Sequence, residues 1–102
     1  MSKSQFFDAA KSGDIPRLTS ILASNSTVLN AKDERWNDGT ALMHSSEKGH
    51  TEIARILVQH KASLDLQKKD GWTALMASSH EGHTEIVHIL VQHKASLDLL
   101  QP

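Results

Sequence analysis

A long stretch of this chain occurs twice. Thr40-Ala41-Leu42-Met43 returns as Thr73-Ala74-Leu75-Met76, and Gly49-His50-Thr51-Glu52-Ile53 returns as Gly82-His83-Thr84-Glu85-Ile86, each at an offset of 33 (73 − 40). Ile56 through Leu66 is repeated unchanged as Ile89 through Leu99, and positions 40–66 agree with 73–99 at 22 of 27 residues. A period of this length implies a solenoid. One unit is too small to bury its own apolar face, so stacked units share a continuous core.

Each unit reads as two short helices. Thr40 is placed to cap the first, its hydroxyl accepting from a free N–H of the opening turn. Leu42, Ser45, Ser46 and Gly49 then share one face at helical spacing. That face is mostly small, which lets a second helix come close. Gly49 can take a positive φ and end the helix. The second helix starts near Thr51, with Glu52 complementing its dipole, and Ile53, Ile56, Leu57 and His60 are expected to form its inner stripe. Thr73 to Gly82 and Thr84 to His93 repeat the pattern. Between the pairs, Lys68-Lys69-Asp70-Gly71 is a hairpin-turn signal.

A divergent unit comes first. Phe6, Phe7, Ala9, Ala10 and Gly13 make its first helix. Asp14 can cap the second, Pro16 fits its first turn, and Ile15, Leu18, Ile21 and Leu22 supply its apolar side. The expected organisation is one all-α domain of three units, 1–36, 37–69 and 70–102.

Bulk properties narrow the partners. Net charge is −1 and the only dense basic cluster is Lys68-Lys69, so no nucleic-acid footprint is expected. No stretch approaches the ~20 apolar residues of a membrane span, and membrane binding is not expected. Cysteine is absent, which removes disulfides and thiolate metal sites. With no signal-like N-terminus, an intracellular, cytoplasmic setting is expected.

These residues resemble the ankyrin repeat. Asp70-Gly71-Trp72-Thr73-Ala74-Leu75-Met76 matches the start of that family's unit and Gly82-His83-Thr84-Glu85-Ile86-Val87 its middle; Lys94-Ala95-Ser96-Leu97-Asp98-Leu99 matches the end loosely. The resemblance implies an all-α solenoid of stacked helix-turn-helix units joined by β-hairpin-like loops. It implies protein binding on a concave side, made of hairpin tips and first helices, and no catalysis. Several residues depart from the pattern. Ala41 and Ala74 replace Pro, and Met43 and Met76 replace His. Ser45, Ser46, Ser78 and Ser79 replace an Ala pair and need partners if buried. Lys61 and Lys94 replace a helix-ending Gly and are expected in the left-handed region. Asn30 lies near a loop Asn that asparaginyl hydroxylases modify in some members; Asp65 and Asp98 take its place in the next units.

Candidate partner-binding residues come from two sources. The near-identical units differ at five positions, three of them on the first helices: His44 against Ala77, Glu47 against His80, and Lys48 against Glu81. All six are expected to project from the concave side. The loop Asp33 to Gly39 is about two residues longer than its counterpart and carries Trp36, Asn37 and Asp38; the next tip carries Lys69, Asp70 and Trp72. Exposed Trp is over-represented at interface hot spots. The seven histidines follow no metal-ligand spacing, and neither a nucleophile motif nor a phosphate-cradling loop is present, so no cofactor and no metal is expected. The alternative function is a structural spacer, or a fragment of a longer repeat array, that stacks or self-associates weakly through a C-terminal end at which Ile86, Ile89 and Val91 are expected to be partly exposed.

Overall fold

Local signals explain where the helices begin and end. The structure is a computed structural model describing residues 3–97. Among these lie six α-helices: α1 (Lys3–Ser12), α2 (Ile15–Ser24), α3 (Ala41–Lys48), α4 (Thr51–Gln59), α5 (Ala74–His80) and α6 (Thr84–Gln92). Thr40 and Thr73 cap α3 and α5, accepting from the N–H of Met43 at 3.3 Å and Met76 at 3.2 Å. Asp14 caps α2 through the N–H of Arg17 at 3.2 Å. Lys61 and Lys94 adopt φ of 70° and 74° after α4 and α6, the left-handed conformation expected of them.

The helices form three antiparallel pairs stacked in two rows. Helices α1, α3 and α5 pack side by side in one row, and α2, α4 and α6 in the other. Phe6, Leu18, Ile21, Leu42, Ile53, Leu57, Leu75, Ile86 and Leu90 fill the interior between them. Small residues allow the close approach, and Ala9, Ala10, Ser45, Ser46 and Ser78 are all fully buried. Ser45 and Ser78 satisfy their hydroxyls on helix carbonyls, Ser45 on Leu42 at 3.1 Å and Ser78 on Ala74 at 3.0 Å.

Polar ties hold successive units in register. The Nε2–H of His50 donates to the Lys11 carbonyl at 2.8 Å, and that of His83 to the Glu47 carbonyl at 2.9 Å. Each imidazole therefore satisfies one of the unpaired carbonyls at the end of the preceding first helix. The loops after the second helices are tied too. Asn30 Oδ1 accepts from the Ser63 N–H at 2.8 Å, and Asp65 Oδ1 from the Ser96 N–H at 2.7 Å.

Three expectations about burial need correction. His60 does not belong to the inner stripe: it is exposed beyond the end of α4, and Ile53, Ala54, Leu57 and Val58 form the buried face. Ile15 is exposed where α2 begins. Ile86 and Ile89 are buried, so of the three residues expected at an open apolar end only Val91, 44% exposed, stands out to solvent. Asp98 and 99–102 lie outside the described residues.

Candidate partner-binding site

The hairpin tips carry both tryptophans, and the backbone ties the two tips together. Asp33 and Gly39 close the first tip as an isolated antiparallel bridge, with the Asp33 N–H donating to the Gly39 carbonyl at 2.7 Å. Within it, Glu34–Trp36 form a single 3₁₀ turn, and Asn37 and Asp38 take φ of 56° and 64°. Asn and Asp tolerate that region better than most residues, and here two in succession turn the chain back. The second tip closes when the Lys68 N–H donates to the Trp72 carbonyl at 2.8 Å, with Asp70 Oδ1 accepting from the Trp72 N–H at 3.1 Å. The Lys69 N–H donates to the Asn37 carbonyl at 2.8 Å, so the two tips share a backbone hydrogen bond.

Asp33 organises the base of the first tip. Its side chain is 2% exposed and takes five donors: Arg35 Nε at 3.1 Å, Arg35 Nη2 at 3.4 Å, the Arg35 N–H at 3.2 Å, His44 Nε2 at 3.1 Å and Lys11 Nζ at 3.4 Å. A carboxylate only accepts, so His44 carries its proton on Nε2. Burial would raise the Asp33 pKa. The hydrogen bonds from Arg35 and His44 and the charges of Lys11 and Arg35 outweigh burial, so it lies below the ordinary carboxylate value. Burial, helped by the Lys11 charge, lowers the His44 pKa despite the carboxylate, and the imidazole is neutral at pH 7. The Lys11 ammonium also sits 4.4 Å from the Trp36 ring centroid, a cation–π contact.

An open cleft of about 210 Å³ lies between the tips and the first helices. Trp36 and Trp72 line it, 57% and 37% exposed. His44, Met43 and Ala77 face it from α3 and α5, while Lys11, Glu47, Lys48 and Lys68 bring charge to its edges. An adjoining groove continues past Trp72 along Glu47, Lys68, Asp70, Ala77, His80 and Glu81. There the Trp72 ring meets the edge of His80 at 5.4 Å, and His80 Nδ1 lies 2.9 Å from Glu81.

Most of the residues expected from the sequence converge on this surface, with two corrections. His44 does not project as a contact residue: it is 8% exposed, bonded to Asp33 and edge-on to Phe7 at 5.9 Å. Ala77 is likewise buried at the floor. Trp36, Glu47, Lys48, Trp72, His80 and Glu81 do reach solvent, as do Lys69 and Asp70. Asn37, Asp38 and Lys69 shape the tips and do not line the cleft. Lys11, Met43 and Lys68 line it, although difference between the two near-identical units could not single them out. Aligning Gly13 with Gly49 and Gly82 would have placed Lys11 with Glu47 and His80. Among the described residues no group of three or more His, Asp or Glu could hold a metal ion, and no helix is long and apolar enough to cross a membrane.

Paired helices, hairpin tips and stacking through small buried faces define a short helical repeat solenoid. The chain belongs to the ankyrin-repeat family, whose description, ankyrin repeats in three copies, matches residues 6–100. It is 42% identical over 55 residues to the NAD-capped RNA hydrolase NUDT12 of Homo sapiens, covering 54% of this chain and 12% of that protein. The human acyl-CoA-binding domain-containing protein 6 is 34% identical over 56 residues, covering 54% of this chain and 19% of that protein. Among solved structures, a chain from the complex of the predatory endopeptidase Bd0816 of Bdellovibrio bacteriovorus with the immunity protein Bd3460 superimposes with a TM-score of 0.87 at 28% identity. The match covers 96% of this chain and 50% of that one. This chain therefore spans half or less of each of these relatives.

Proposed function

We propose that this chain binds another protein on the wall formed by its hairpin tips and first helices, with the cleft between Trp36 and Trp72 as the anchoring point. Ankyrin repeats are generally protein-interaction modules, and one structural neighbour comes from a complex between two proteins. The observation that carries the finer reading is the cleft itself. Two partly exposed indoles flank a floor made small by Ala77, and a pocket with aromatic walls is where an apolar anchor side chain gains most on docking. The tips are joined by a backbone hydrogen bond, so the walls are held in place and little ordering entropy is lost when a partner binds.

Selection from a random peptide library tests this directly. The expected result is a set of peptides that change the emission of the two tryptophans and lose binding when Trp36→Ala, Trp72→Ala or Ala77→His is introduced. The third variant places in α5 the residue that α3 already accommodates at the equivalent position. Peptides that bind all three variants as well as the parent, or a selection that enriches nothing, would remove this surface as the binding site.

Self-association through the end of the third unit is the weaker reading. Val91 is its one exposed residue among those expected there, and sedimentation showing a monomer at every concentration would discard it.

A further inference from the structure

The charges around the cleft are not evenly spread, and they define what would sit in it. Lys11, Lys48 and Lys68 line the cleft, opposed there by Glu47 alone. Lys11 is shared with the buried Asp33 carboxylate. Lys48 and Lys68 have no carboxylate within ion-pair distance among the described residues. In the adjoining groove past Trp72 the balance is acidic, with Glu47, Asp70 and Glu81 against Lys68. The whole chain carries a net charge of −1, so the cationic lip is a local feature of a nearly neutral chain.

We infer that the cleft takes a linear peptide segment in which an acidic residue is next to a large apolar side chain. The apolar side chain lies over Ala77 against Trp72, and the carboxylate faces Lys48 and Lys68. The inference rests on the interaction reading above and adds the chemistry of the partner. Ala77 provides the room: the equivalent residue in α3 is His44, whose ring occupies that position and turns to Asp33. The lysine ammoniums lie at the rim, where they select by charge and speed encounter. A nucleic acid strand could also stack on the indoles. Its phosphates would have to pass Glu47, Asp70 and Glu81, so the groove favours a single carboxylate over a polyanion.

The test compares the peptide pools selected by the parent chain and by a Lys48→Glu/Lys68→Glu double variant, both changes being on exposed or partly exposed side chains. The parent pool is expected to be enriched in Asp or Glu beside an apolar residue, and the double variant's pool to lose that enrichment or switch to Lys and Arg. For an individual peptide, replacing its Glu by Gln is expected to weaken binding to the parent about two- to fivefold at low salt. The difference should shrink as salt is raised. Parent peptides that occupy the cleft without acidic enrichment, or whose Glu and Gln forms bind equally, overturn the charge inference and leave the interaction reading standing. Pools insensitive to the tryptophans overturn both. Saturable binding of a single-stranded oligonucleotide at lower concentration than any selected peptide also overturns the inference.

Discussion

His44 donates its Nε2–H to the buried carboxylate of Asp33 at 3.1 Å, joining α3 to the hairpin tip that carries Trp36. The bond is made by a neutral imidazole and a charged carboxylate, and the two groups respond to acid in the same direction. Both have folded-state pKa values below their ordinary values of 6.5 and 3.8. In both cases the unfolded chain binds protons more readily, so stability is lost as pH falls.

From this pair we expect stability to decline in two steps on acidification. The first begins as pH drops below about 6.5, where His44 of the unfolded chain takes a proton that the folded chain refuses. The second begins below about 3.8 and runs through the lower folded-state value of Asp33. Replacing His44→Gln keeps a donor for Asp33 and removes the imidazole, so the first step should shrink. Urea midpoints at pH 7.5 and 5.5 for both proteins measure it. An unchanged difference between the two pH values would contradict the His44 assignment.

Gly49 and Gly82 occupy the same place in their units and have the same left-handed backbone, φ 79° and 75°, but different neighbours. A Cβ on Gly49 would come within 2.6 Å of the His83 ring, whereas one on Gly82 meets nothing within 4 Å. Both Gly→Ala changes incur the left-handed penalty of about 1–2 kcal/mol. Gly49→Ala must also displace the imidazole that holds the Glu47 carbonyl. Thermal unfolding should therefore show Gly49→Ala as the more damaging by about 1 kcal/mol or more. Equal losses would mean that His83 yields without cost.

Ser46 Oγ is buried and has no hydrogen-bond partner among the described residues. Its repeat counterpart Ser79 is exposed, because no described helix pair follows α5 and α6. Ser46→Ala should stabilise the fold by about 1 kcal/mol by removing an unpaired polar atom, while Ser79→Ala should change little. Loss of stability in Ser46→Ala would show that the hydroxyl is satisfied in solution.

Lys61 holds φ 70° at the turn after α4. Lys61→Gly removes the steric penalty of that conformation, about 1 kcal/mol. The greater freedom of glycine in the unfolded chain offsets part of the gain. A net rise of up to about 5 °C in Tm is expected. A fall would contradict the left-handed assignment.

Much of this was legible before any coordinates. The offset between Thr40 and Thr73 required stacked units, because a single helix pair cannot enclose its own apolar face. Thr and Asp next to apolar runs marked the helix starts. The absence of glycine at Lys61 and Lys94 marked two left-handed residues. Each of these is a local signal, set by a few neighbouring residues and the period of one helix.

The tertiary structure alone decided which polar residues belong to the surface. His44 looked exposed because nothing within α3 shields it; its partner Asp33 and the Phe7 ring come from outside that helix. Ile86 and Ile89 looked partly exposed on the last apolar stripe, yet they are buried where α6 packs on α4 and α5. Lys11 and Lys68 joined the cleft through the packing of three units, and the Lys69–Asn37 bond tied together the two tips whose indoles line it. Periodicity reports one face of one helix, whereas burial and charge clustering depend on which faces meet, and stacking fixes that across units.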